Sequence, residues 1–176
     1  IRTDLGLRSG RLTKAAAMDE GRQEGVILLH GLGRSRASMA KMASALKGAG
    51  FIVLNVQYPS RRATVAVLSE ATLGRALNDQ TFSQCGRIHC VAHSLGGILL
   101  RCYFARHQDP RLGRVVMLGT PNQGSELVDI LSSWRLLKWL IGPAGAELGT
   151  GSEAIANRIG PVQFELGVIA GDRSIN

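Results

Sequence analysis

Apolar runs of β-type alternate with helix-spaced segments through most of this chain, and that alternation limits the fold more than any other feature. "VILLH" (26–30) is a continuous apolar run that ends at a glycine, the pattern of a strand buried on both faces. "SMAKMASALKGAG" places Met39, Met42, Ala43 and Leu46 on one helical face and stops at Gly48 and Gly50. "FIVLNV" (51–56) predicts a second strand, closed by the turn "YPS". A helix is expected over 64–78 through Val67, Leu68, Ala71 and Leu77. "RIHCVAH" (87–93) predicts a third strand and "LGGILLRCYFARH" (95–107) an apolar helix. "RVVMLGT" (114–120) and "FELGVIAG" (164–171) complete five strands. Such alternation predicts an α/β fold, a mostly parallel sheet with helices on both faces. Residues 121–163 interrupt it as an insertion, and the first 25 residues are polar and weakly periodic apart from "LTKAAAM". The 176 residues are expected to form a single domain.

Charge and cysteine content narrow the functional classes. The net charge is +8, but the arginines are scattered and aromatics make up 5% of the chain. Without a basic block or interleaved aromatics, no nucleic-acid partner is expected. Cys85, Cys90 and Cys102 show neither C-x-x-C spacing nor an even count, so no metal site or disulfide framework is expected. Cys90 reads as a small buried residue. No apolar stretch reaches the ~18 residues of a membrane span, and no secretory leader is visible. The compartment stays open.

Reactive groups in an open parallel sheet collect at the carboxyl ends of the strands. The third strand ends in "VAHSLGG". Ala92, Ser94 and Gly96 fill a G-x-S-x-G frame with alanine in the first position. That frame needs small residues two positions either side of the serine, because strand and helix backbones crowd at a sharp, strained turn. Ser94 is the candidate nucleophile, at a helix N-terminus that favours developing negative charge. The plainer alternative is a serine that only N-caps the helix. The first strand ends in "HGLGRS". A phosphate-binding loop is excluded there, because the Gly-Lys-Ser/Thr ending is missing. Acyl transfer needs two backbone N–H groups aimed at the oxyanion. Leu95 and Leu32 are the candidates.

"HGLGRS", "VAHSLGG" and "VVMLGTPNQGS", in that order and spacing, resemble the lipase and esterase branch of the α/β-hydrolase superfamily. Bacterial esterases and lipases whose nucleophile elbow begins with alanine are the most similar, over roughly residues 24 to 172. The resemblance implies a Ser–His–Asp/Glu triad, carboxylic ester substrates that are small molecules or lipids, and no cofactor. By position it implies Ser94 as nucleophile, Leu32 and Leu95 as the oxyanion hole, and His30 as a residue shaping that loop. The chain departs from the family at the base. The fold's triad order is serine, acid, histidine, and only His107 follows Ser94. At about 1.5 Å per residue along a helix it lies roughly 20 Å away. His89 is expected mid-strand, and the turn directs His93 away from its neighbour. Asp172 lies near the family's acid position but slightly before it. The expectation is therefore a C-terminally incomplete hydrolase domain, its base lying beyond Asn176.

The insertion is the remaining candidate. Leu127, Leu131, Trp134 and Lys138 follow a helical face, and both tryptophans, Trp134 and Trp139, lie here. One reading is a core-packing helix; the other is a cap over the serine that supplies an acyl pocket or meets a membrane surface, with Arg135 and Lys138 toward anionic headgroups. An esterase or lipase is expected. An acyltransferase using the same site and a non-catalytic binding module of the same fold are the alternatives.

Overall fold

The computed structural model of the chain describes residues 23–121, 142–144, 147 and 159–170. They form one five-stranded, fully parallel sheet in the order β2-β1-β3-β4-β5. The strands are β1 (Gln23–Leu29), β2 (Ile52–Val56), β3 (Cys85–His93), β4 (Leu112–Leu118) and β5 (Leu166–Ile169). The helices are α1 (Ala40–Gly48), α2 (Val65–Leu77) and α3 (Leu95–Phe104), with 3₁₀ turns at Arg36–Met39 and Gln80–Phe82.

β1 shows why a continuous apolar run suits a central strand. Val26 and Leu28 pack on one face with Met39 and Ala43, next to α1. Ile27 and Leu29 point to the other face, into the larger cluster with Leu68 and Leu73 of α2 and Ile98 and Leu99 of α3. Side chains alternate across a strand, so a strand covered on both sides must be apolar at every position. Helices therefore cover both faces, as expected of the α/β-hydrolase fold.

Two helix faces differ from the sequence expectation. In α1, Met39, Ala43 and Leu46 turn to the sheet at i, i+4 and i+7 spacing, while Met42 sits at the edge, 37% exposed. In α2 the inward stripe is Val65, Leu68, Ser69, Thr72, Leu73, Ala76 and Leu77, so Leu68 and Leu77 face inward as expected. Val67 is 57% exposed and Ala71 is exposed. Ser69 and Thr72 are buried polar residues, and hydropathy alone could not assign them inward. The Ser69 hydroxyl resolves its own burial by donating to the Ala66 carbonyl at 2.9 Å. The helix after Ser94 ends at Phe104, leaving His107 beyond it. Most of the 121–163 insertion lies outside the described residues, including Trp134, Trp139, Arg135 and Lys138; so does Asp172.

Candidate active site

β3 ends at His93, and α3 begins at Leu95. Ser94 makes the whole turn between them. Its backbone lies at φ 51, ψ −118, and it is the only non-glycine residue of positive φ among the described residues. Such a conformation carries strain of about 1–3 kcal/mol and persists where the surroundings over-determine it. Here they do. The Ser94 N–H donates to the Leu118 carbonyl of β4 at 2.9 Å. Its carbonyl accepts from the Gly97 N–H at 3.0 Å and from the Thr120 hydroxyl at 3.3 Å. Ser94 occupies the N-cap position of α3, yet its side chain makes no capping hydrogen bond. The capping alternative is thereby set aside, since an N-cap serine works through that bond.

The small residues of the frame have steric reasons. A Cβ at Gly96 would come within 2.8 Å of the Leu29 Cβ and 3.0 Å of the Leu29 carbonyl oxygen. Helix α3 can approach the end of β1 only without a side chain there. Gly97 makes the same allowance for Thr120. Ala92 is fully buried.

The loop after β1 lies directly against this turn. A Cβ at Gly31 would stand 2.7 Å from the His93 ring and 3.3 Å from the Ser94 Cβ. The loop closes as a tight turn in which the Arg34 N–H donates to the Gly31 carbonyl at 3.2 Å. Gly33, at φ 66, donates its N–H to the Ser60 hydroxyl at 3.0 Å. Between them, the Leu32 N–H finds no protein acceptor among the described residues, and neither does the Leu95 N–H at the first turn of α3. Leu95 directly follows the serine and Leu32 follows Gly31, which packs on it, and the helix N-terminus adds its partial positive charge.

His30 is fully buried behind the loop and stacks on Tyr58, ring centroids 4.1 Å apart at 10°. Nε2 accepts from the Tyr58 N–H at 3.4 Å, which leaves the proton on Nδ1 for the Gly31 carbonyl at 2.9 Å. The Tyr58 hydroxyl donates to the His30 carbonyl. Burial pushes the imidazole below its ordinary 6.5 and the Tyr58 phenol above its ordinary value. With both ring nitrogens engaged, His30 holds the loop and has no lone pair for catalysis.

The other histidines are also placed. His89 Nδ1 accepts from the Arg114 N–H at 2.9 Å, and Nε2 faces Glu24 at 3.6 Å. His107 Nε2 pairs with both carboxylate oxygens of Glu70 at 2.9 Å. His93 lies over Gly31, exposed, and makes no hydrogen bond to Ser94. Sequence reading missed Tyr58, Ser60 and Thr120. "YPS" was legible as a turn, but its pairing with a loop 28 residues earlier is a tertiary fact.

The described parts of the insertion contact the loop after β2, the start of α2 and the core. The Glu147 carboxylate accepts from the Val65 N–H at 2.9 Å, at the N-terminus of α2. Gly142 packs on the Arg61 carbonyl. Ala144 is buried in the larger core.

Among solved structures, the chain is similar to phospholipase PlaB from Legionella pneumophila, at 22% identity and a TM-score of 0.64. That match covers 78% of this chain and 35% of PlaB. The mature lipase BlEst2 of Bacillus licheniformis aligns at 21% identity and a TM-score of 0.67, covering 87% of this chain and 67% of the lipase. A structure reported with the metagenome-derived lipolytic enzymes LipS and LipT aligns at 18% identity and a TM-score of 0.61, over 85% of this chain and 72% of that one. At these identities the likeness establishes the α/β-hydrolase fold. No curated protein sequence matches the chain significantly. The palmitoyl protein thioesterase family matches residues 25–156. Three-quarters of the chain lies within that match, from the first strand through the Ser94 turn and into the insertion, and the chain belongs to the palmitoyl protein thioesterase family.

Proposed function

We propose that this chain carries the nucleophile and oxyanion hole of a serine hydrolase that cleaves acyl esters or thioesters of lipid character. The observation that carries the reading is the strained Ser94 backbone at the end of β3, with a side chain engaged in no cap. Ser94 Oγ attacks the acyl carbonyl, and the developing oxyanion accepts from the Leu32 and Leu95 N–H groups. The tetrahedral intermediate collapses to an acyl-enzyme with release of the alcohol or thiol. Water attacks the acyl-enzyme, releases the acid and restores the serine. Residues 121–163 act as a cap beside the serine, a role supported by the contacts of Gly142 and Glu147 with the loop after β2 and the start of α2. No metal or cofactor enters this scheme.

The proton from Ser94 needs a base. Each of the chain's four histidines is engaged elsewhere or makes no hydrogen bond to the serine, so the base comes from outside these 176 residues. The same observation favours a second reading, a binding module that keeps the pocket without the triad. An acyltransferase would differ only in the acceptor of the acyl group.

Labelling of the full-length gene product with a fluorophosphonate, followed by peptide mapping, tests the assignment. The adduct is expected on Ser94 and absent in Ser94→Ala. Labelling at another serine overturns it, and no labelling at all favours the binding module. Residues 1–176 alone should hydrolyse a simple ester at only the residual rate that oxyanion and binding contributions leave, roughly 10³–10⁴ over water.

A further inference from the structure

Positive charge is unevenly compensated in this domain. Residues 25–69 contain no Asp or Glu, yet carry Arg34, Arg36, Lys41, Lys47, Arg61 and Arg62. Four of these lie on two loops at the carboxyl end of the sheet, Arg34 and Arg36 after β1, Arg61 and Arg62 after β2. Three hydrogen bonds draw the loops together. Gly33 N–H donates to Ser60 Oγ at 3.0 Å, Arg36 N–H to Gln57 Oε1 at 2.9 Å, and Asn55 Nδ2 to the Arg36 carbonyl at 2.9 Å. Arg34 is one turn from Gly31, which abuts Ser94. All four arginines are exposed.

Three arginines elsewhere in the domain are paired with carboxylates. Arg106 pairs with Glu70, Arg111 with Asp109 and Arg114 with Glu165. Among the described residues, Arg34, Arg36 and Arg62 form no ion pair. Leaving like charges together uncompensated is unfavourable for the free protein and favourable for an anionic partner.

We propose that Arg34, Arg36 and Arg62 form a docking rim that seats the mouth of the Ser94 site on an anionic phospholipid surface. Its location beside the serine rests on the reading of Ser94 as the reactive centre; binding itself does not need catalysis. A lipid surface fits better than a nucleic acid. The rim consists of two loops with no groove-filling helix, and its one aromatic, Tyr58, is buried against His30. An acyl substrate held in a bilayer would meet the oxyanion loop first, with its headgroup phosphates against the guanidinium groups.

Cosedimentation with vesicles of phosphatidylcholine alone, and with equimolar phosphatidylcholine and phosphatidylglycerol, tests the proposal. Binding is expected only to the anionic vesicles, and should fall with added salt. The triple variant R34Q/R36Q/R62Q should weaken it on the order of a hundredfold, at roughly fivefold per arginine near a charged surface. R75Q/R106Q/R114Q removes the same net charge from other exposed positions and should weaken it far less. Thermal melts of both variants confirm that each is folded. Equal loss in the two variants, or no binding to anionic vesicles, overturns the rim. Binding of duplex DNA with the same arginine dependence, in place of vesicles, overturns it in favour of a nucleic acid. Ser94→Ala should bind vesicles as the wild type does. Vesicle binding with no fluorophosphonate label on Ser94 would sink the hydrolase reading and leave the rim standing.

Discussion

The ring of Tyr58 lies parallel to that of His30 at 4.1 Å, and Tyr58 donates twice to His30, from its N–H to Nε2 and from its hydroxyl to the carbonyl. One lies just past β1 and the other just past β2, so this stack fastens the loop bearing the Leu32 N–H to the neighbouring strand end. Tyr58→Phe keeps the stack and removes the donor to the His30 carbonyl. A buried carbonyl left without its donor costs about 1–3 kcal/mol. The variant should melt lower and, if the Leu32 N–H serves as an oxyanion donor, lose kcat on the order of tenfold or more in the full-length enzyme, with little change in KM. A rise in KM at constant kcat would instead assign Tyr58 to substrate binding.

His30 should make the domain sensitive to mild acid. Its folded pKa lies below the ordinary 6.5, so below that pH the unfolded chain takes up a proton that the folded one resists. The stability it contributes is complete above 6.5 and is lost as pH falls toward the folded value. Denaturant unfolding across mildly acidic pH should show this slope in the wild type and a shallower one in His30→Asn. Parallel slopes would remove His30 as the source.

Ser94 holds a backbone that a Cβ disfavours. Ser94→Gly and Ser94→Ala should both be inactive, but only glycine relieves the positive φ. Ser94→Gly should therefore be the more stable of the two by about 1 kcal/mol, the strain less the greater backbone entropy of glycine when unfolded. Equal melting temperatures would show that the turn carries no strain.

Two glycines should respond in opposite directions to the same substitution. Gly96→Ala drives a methyl into Leu29 and should destabilise by about 1–3 kcal/mol. Gly74 lies inside α2 with open space around its Cβ position. Gly74→Ala should stabilise by about 0.5–1 kcal/mol through helix propensity. Differential scanning calorimetry of the pair measures both.

If the insertion caps the serine, Trp134 and Trp139 line the acyl side of the site. Replacing both with alanine should lower turnover of long-chain esters more than that of acetate esters in the full-length enzyme. An equal loss on both would make this segment a core-packing helix.

The order of strands and helices, the placing of Ser94 at a strand end and the small residues around it were all legible in the chain. These are local properties: apolar runs, helical spacing and the steric demands of one tight turn leave their mark within a few residues. The inward face of α2 was not, because Ser69 and Thr72 are buried and only the packing partner decides that. The His30–Tyr58 stack and the hold of Thr120 on the Ser94 carbonyl were not legible either. Each joins residues 26 or more positions apart, and a contact at that separation depends on which strands lie side by side. β1 lies between β2 and β3 in the sheet, although β2 separates them in sequence. That order, with all strands parallel, brings the loops after β1, β2 and β3 to one edge, and with them Leu32, Ser94 and the arginines of the first two loops.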